Sequence, residues 1–125
     1  MKGSPLSESQ EDYLEAILDL ETNNRVARVS DIAKALNVKK SSVSAALKNL
    51  AARGLAVYTP YAHVALTADG MRFARTMVRY HVRLKRFFME RLALPEKTAD
   101  RNACRMEHAL EKEVMERLLS HLEKA

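Results

Sequence analysis

The chain has 125 residues, 47% hydrophobic and 30% charged, with a single Cys, which allows one or two small domains and excludes both disorder and an internal disulfide. No stretch approaches the ~20 apolar residues of a membrane span, and the N-terminus lacks the apolar run of a signal peptide, so a cytoplasmic protein is expected. The net charge of +5 is concentrated: residues 25–86 carry 13 Lys/Arg against only Asp31 and Asp69, a net +11 that is the footprint of a polyanion partner.

Only three Gly and three Pro interrupt the sequence, so helices should dominate. The first opens at "LSESQEDYLEAILDLE", where Ser7 followed by Gln10 forms a capping-box pattern. Tyr13, Ile17 and Leu20 make its apolar stripe, with Asp12, Glu15 and Asp19 on a neighbouring face. A polar turn leads through the strand-like "VARV" to a short helix over residues 31–36, with Ser30 as its expected cap. After "NVKK", Ser41 or Ser42 is expected to cap a second helix that stops at Gly54, and the two helices with their short turn read as a helix-turn-helix. "LAVYTPYAHVALT" alternates around a Thr-Pro-Tyr-Ala turn and reads as a two-stranded hairpin, a wing. Thr67 then caps a long helix running toward Pro95, and residues 96–123 are helical again with a joint near 109–111.

The second helix of the helix-turn-helix buries Val43, Leu47 and Leu50 and leaves Ser41, Ser42, Ser44, Ala45 and Lys48 on its outer side. Small residues near a helix N-terminus permit close entry into a major groove, while Lys39 and Lys40 at its mouth suit phosphates. Arg28, and Tyr61 and His63 of the wing, complete the expected DNA-contacting set. Arg72, Arg75, Arg79, Arg83 and Arg86 form a continuous basic face on the long helix, read as solvated and opposite an apolar stripe interrupted by His81.

Donor residues also recur at helical spacing. Asp12 and Glu15 stand at i, i+3 on the first helix, His81 on the long helix, and Cys104, Glu107 and His108 at i, i+3, i+4 on a third. This mixture of O, N and S donors suits a first-row divalent ion such as Mn²⁺, Fe²⁺, Co²⁺ or Zn²⁺, not Ca²⁺ or Mg²⁺.

The segments "EDYLEAI" (11–17), "ARVSDIAKAL" (27–36), "SSVS" (41–44), "ALTADG" (65–70), "RYHVRL" (79–84) and "ACRMEH…EVMERL" (103–118) together resemble the diphtheria-toxin-repressor family of metal-dependent transcriptional regulators, which includes the manganese transport regulators. The resemblance spans essentially the whole chain. It implies a mainly α fold, with a winged helix-turn-helix DNA-binding domain (1–70) and a helical dimerisation and metal-binding domain (71–125). It places metal ligands at Asp12, Glu15, His81, Cys104, Glu107 and His108. It implies a homodimeric repressor, not an enzyme, that binds palindromic operators of metal-uptake genes when loaded with Fe²⁺ or Mn²⁺; Co²⁺ or Zn²⁺ would serve in vitro. Two departures stand out. The ancillary site of the iron branch uses a carboxylate and a histidine where this chain has Lys85 and Asp100. The ligand set is also a hybrid, with Asp12 as in the manganese branch and Cys104 as in the iron branch, so both ions remain open. The competing reading is a winged helix-turn-helix regulator that senses a small molecule or thiol oxidation without metal.

Overall fold

A computed structural model of the chain describes residues 6–24, 26–59 and 63–124; the side chains of Asn24 and Lys124 lie outside this description. The chain divides into two compact units, residues 1–75 and 76–125, so the division falls inside a helix, a little past the 70/71 boundary expected from sequence. None of the described helices is long and apolar enough to cross a membrane.

The first unit contains α1 (Glu8–Asn24), β1 (Ala27–Arg28), α2 (Val29–Leu36), α3 (Lys40–Ala52), β2 (Ala56–Tyr58), β3 (His63–Leu66) and the first turns of α4 (Ala68–Glu90). The capping box of α1 forms reciprocally: the Gln10 N–H donates to Ser7 Oγ (3.1 Å) and the Ser7 N–H to Gln10 Oε1 (2.9 Å). α2 and α3 begin differently from expectation. Their N-caps are Arg28 and Lys39, neither with a side-chain capping bond, and Ser30, Ser41 and Ser42 lie already inside the first turns. α2 ends on Asn37 in the left-handed region (φ 56°), a conformation an Asn side chain tolerates. α3 ends at Gly54 (φ 77°), where the Leu55 N–H returns to the Leu50 carbonyl (3.0 Å).

The expected two-stranded hairpin is part of a three-stranded antiparallel sheet in the order β1-β3-β2. β2 pairs β3 in the register Ala56–Leu66 and Tyr58–Val64; β1 adds Ala27–Val64 and Arg28–His63. β1 is only two residues long, and its Ala27 is fully buried beside its register partner Val64. Leu14, Ile17, Ile32, Val43, Leu47, Leu50 and Val64 fill the core of this unit. Each such side chain contributes on the order of 1.5–3 kcal/mol through burial. The long helix then starts from Thr67: its Oγ accepts the Gly70 N–H (3.1 Å) and donates to the Gly54 carbonyl (2.7 Å). Gly70 is required there, since a Cβ would lie 2.0 Å from the Leu55 carbonyl oxygen.

The second unit is helical: the remainder of α4, α5 (Glu96–Ala109) and α6 (Lys112–Lys124). Its core comprises Met77, Tyr80, Leu84, Ala103, Met115 and Leu119, with Phe88, Leu118 and Leu122 packed against it. α4 stops at Glu90, four residues short of the expected run to Leu94, and Ala93 takes a left-handed φ of 55°. The arginine face of α4 is not merely solvated. Arg79 pairs with Glu116 (2.7 Å) and Arg83 with Glu123, both on α6.

Candidate nucleic-acid interface and metal-binding residues

In the first unit, α2, the turn 37–39 and α3 bring together most of the residues expected to meet DNA. Lys39, Lys40, Ser41, Ser42 and Lys48 are exposed on α3 or at its mouth. Arg28 and His63, exposed, are register partners across β1 and the central strand β3, so both stand at one end of the three-stranded sheet. Ser44 is half-buried, and the Tyr58 hydroxyl donates to its Oγ (3.4 Å), tying α3 to β2. Tyr61 lies outside the described residues. Among the described residues, none of Arg28, Lys39, Lys40 and Lys48 makes an ion pair. With no side-chain cap, the first-turn N–H groups of α3 also remain available, and a helix N-terminus favours anions. The far end of α3 is held to α1: Gln10 Nε2 donates to Asn49 Oδ1 (2.7 Å) and Arg53 Nη1 donates to Gln10 Oε1 (3.3 Å). Sequence reasoning gave Gln10 only the capping role.

Asp12 and Glu15, half-buried, share the face of α1 expected from their spacing. The other four expected ligands belong to the second unit. Glu107 is 2% exposed and is the one buried charged residue among those described. Its Oε1 lies 2.7 Å from His81 Nδ1. Its Oε2 has no hydrogen bond and lies 3.7 Å from His108 Nε2. A buried carboxylate oxygen without a hydrogen bond is costly unless something else satisfies it. The His108 side chain is almost fully buried as well. Cys104 is exposed. It sits one residue around from the buried line Ala99–Ala103–Glu107, which explains why a residue one turn from Glu107 reaches solvent.

Sequence reasoning missed the second partner of His81. Its Nε2 lies 2.8 Å from Asp100 Oδ1, so both ring nitrogens face carboxylates. The hydrogen bond to Glu107 is the main cause that pushes the His81 pKa up to about 9, with Asp100 adding to it and burial opposing. The same contact holds the Asp100 carboxyl below its usual range. Lys85 approaches Asp100 Oδ1 (3.5 Å) and Glu96 Oε2 (3.1 Å). Lys85 and Asp100 are thus both engaged in ion pairs.

These donors fit a divalent transition ion. Glu107 offers a buried oxygen with no hydrogen bond, His81 and His108 offer nitrogens beside it, and Cys104 offers sulfur from the same helix. An imidazole that ligates through one nitrogen and keeps a carboxylate on the other is the common arrangement at such centres, and His81 has a carboxylate on each side.

Comparison with known proteins agrees with both halves. Residues 5–64 match the profile of the iron-dependent repressor N-terminal DNA-binding domain, and residues 67–125 that of the iron-dependent repressor metal-binding and dimerisation domain. An uncharacterised HTH-type transcriptional regulator of Methanocaldococcus jannaschii is 42% identical over 120 residues, covering 95% of this chain and 96% of that protein. The HTH-type transcriptional regulator MntR of Geobacillus kaustophilus is 34% identical over 110 residues, covering 88% of this chain and 77% of the relative. Among solved structures, IdeR of T. acidophilum superposes with a TM-score of 0.75 at 26% identity, covering 97% of this chain and 56% of that one. A manganese-dependent transcriptional repressor in complex with manganese gives 0.79 at 28% identity, covering 91% and 52%. The chain therefore spans about half the length of these two structures.

Proposed function

The chain belongs to the iron-dependent repressor family, and from that premise we propose that it is a homodimeric repressor of metal-uptake genes, activated by Fe²⁺ or Mn²⁺ and acting on palindromic operators in the cytoplasm. The observation that carries the metal half of this reading is Glu107, a buried carboxylate flanked by two imidazoles with one oxygen outside any hydrogen bond. We assign the ligand role to Asp12 and Glu15 of the first unit and to His81, Cys104, Glu107 and His108 of the second. When bound, the ion would supply divalent charge and directed bonds to these donors. Glu107, once neutralised, no longer holds an uncompensated buried charge, and His81 and His108 keep their rings beside it. Any arrangement favoured in that state shifts the population toward DNA binding, and DNA reciprocally tightens the metal.

The DNA half rests on the exposed, unpaired Lys39, Lys40 and Lys48 on α3 and at its mouth, and on Arg28 and His63 at the wing. Lys39, Lys40 and the uncapped start of α3 engage phosphates; Ser41, Ser42 and Ala45 meet base edges, where apolar contact to thymine methyls and DNA shape set specificity. A two-fold dimer matches paired half-sites. Val78, Val82, Met89, Leu92 and Val114 leave apolar surface on the second unit that a partner copy would cover.

Cys104 decides which ion is preferred. A thiolate favours later, softer first-row ions, a carboxylate such as Asp12 favours Mn²⁺, and Fe²⁺ is the ion both tolerate. The test is an anaerobic DNA-binding titration with Mn²⁺, Fe²⁺, Co²⁺ and Zn²⁺, with the absorption spectrum of the Co²⁺ form recorded alongside. Tight operator binding that appears with metal and disappears with chelator is expected, together with a near-ultraviolet thiolate band that Cys104→Glu lacks. Equal DNA affinity with metal and with chelator overturns the reading in favour of a metal-independent sensor. Absence of the band removes Cys104 from the ligand set.

A further inference from the structure

Beside the proposed ligands lies a second cluster of metal-type donors, and a lysine fills it. His81 and Lys85 stand one turn apart on α4; Glu96 and Asp100 stand one turn apart on α5. Lys85 Nζ lies 3.1 Å from Glu96 Oε2 and 3.5 Å from Asp100 Oδ1, and that same Oδ1 lies 2.8 Å from His81 Nε2. His81, Lys85 and Asp100 line an open cleft with Val82, Arg86, Met89 and Glu90. An imidazole nitrogen and two carboxylates on adjacent turns of facing helices are donors that a first-row divalent ion takes readily. We propose that Lys85 is the resident cation of this cluster and sets metal stoichiometry: its ammonium neutralises Glu96 and Asp100 and excludes a further divalent ion from the Asp100 side of His81. The proposal rests on the metal reading above only in placing the other side of His81, toward Glu107, at the primary centre.

Stability does not account for the lysine. The Glu96 and Asp100 side chains are 71% and 52% exposed, and exposed ion pairs contribute little to folding. What the ammonium does is local. It places fixed positive charge at the point toward which two carboxylates converge, and it leaves Asp100 to orient His81. Replacing Lys85 by Glu removes the charge and adds a further oxygen donor, so the cluster becomes a cation site without rebuilding the helices.

The experiment counts ions on the full chain by equilibrium dialysis with elemental analysis, using Co²⁺ and Mn²⁺, on the wild type, Lys85→Glu, and Lys85→Glu with Asp100→Asn. Thermal unfolding of each metal-free form checks that the fold is kept. Lys85→Glu is expected to bind one more ion per protomer than the wild type and to gain Co²⁺ absorption in the visible without added thiolate band; the double variant returns to the wild-type count. Equal counts in the wild type and a folded Lys85→Glu overturn the proposal while leaving the primary centre standing, as does an extra ion that survives Asp100→Asn. A wild type that binds no ion while Lys85→Glu binds one supports this assignment and removes the metal-dependent function instead; no ion in either removes both.

Discussion

The two units of the chain handle positive charge in opposite ways. In the first, the lysines at the mouth of α3 and along it point into solvent with no carboxylate beside them. In the second, Arg79, Arg83, Lys85 and His81 are each matched by a carboxylate from α5 or α6. The difference separates two uses of the same side chains. Charge left unpaired raises affinity for a polyanion at a cost in self-repulsion, whereas charge paired within the fold orients donors and neutralises the helix bundle. Net charge alone, read along the sequence, does not separate the two; the pairing does, since Arg79, Arg83 and Lys85 are engaged within the second unit whereas Lys39, Lys40 and Lys48 are not.

The largest effect expected from breaking this contrast is at Glu107. Glu107→Gln keeps the shape but removes the charge that His81 and the proposed ion share. Metal affinity, measured by dialysis or calorimetry, should fall by at least about 100-fold, because even outer partners of metal ligands are worth 10–100-fold. DNA binding in chelator should be unchanged. Next comes the unpaired side. Lys39→Ala with Lys40→Ala should weaken binding to operator and to random duplex alike, and should flatten the plot of log affinity against log salt by about 1.8, near 0.9 for each phosphate left without its lysine. An unchanged slope in a gel-shift series would place these lysines away from the backbone.

Smaller effects sharpen the comparison by separating fold from function. Ser7→Ala removes the Oγ that accepts the Gln10 N–H and should cost about 1 kcal/mol in urea unfolding, a usual loss for an N-cap. The metal response should survive, since no proposed ligand is touched. Smallest is the acid dependence of the α4–α6 pairing. Arg79 first and Tyr80 second hold the Glu116 carboxyl below its usual range, and burial together with Glu116 pushes the Tyr80 hydroxyl up to about 12. A depressed carboxylate stabilises the fold above its unfolded value near 4.5, and that contribution is lost as pH falls through the lower folded value. Glu116→Gln should therefore lower stability at pH 7 and flatten the acid limb of a Tm-against-pH curve; because Glu116 is partly exposed, the change should be slight.

Much of the architecture is legible in local chemistry. The Ser7–Gln10 box, the glycine stop after Arg53, the Thr67 cap and the joint between α5 and α6 are all encoded within a few residues, and each appears where the spacing places it. The rest depends on contacts between distant segments. β1 falls inside the strand-like VARV, but its pairing is not local: Ala27 and Arg28 find their partners at Val64 and His63 of β3. Ser30, Ser41 and Ser42 look like caps by residue type, yet the helices begin earlier, at backbone positions where Arg28 and Lys39 are extended. Tyr80, between Arg79 and His81 in sequence, is one of the largest fully buried side chains, its hydroxyl donating to Glu116 (2.7 Å). In the proposed centre, the i, i+3, i+4 spacing finds Glu107 and His108 together, but the Asp100 and Lys85 contacts to His81 and its neighbours need two helices to be seen at once.

Thr67 carries one more consequence. Its N–H closes onto the Leu55 carbonyl (3.1 Å) while its hydroxyl donates to the Gly54 carbonyl, so the segment from 55 to 67 leaves α3 and rejoins α4 through a single sealed base. The wing is in effect a short tethered ring, and the conformational entropy of bringing its ends together is given up when the protein folds. For a duplex docked as proposed on Arg28 and His63, that part of the ordering would already be complete, leaving more of each phosphate contact to appear as affinity.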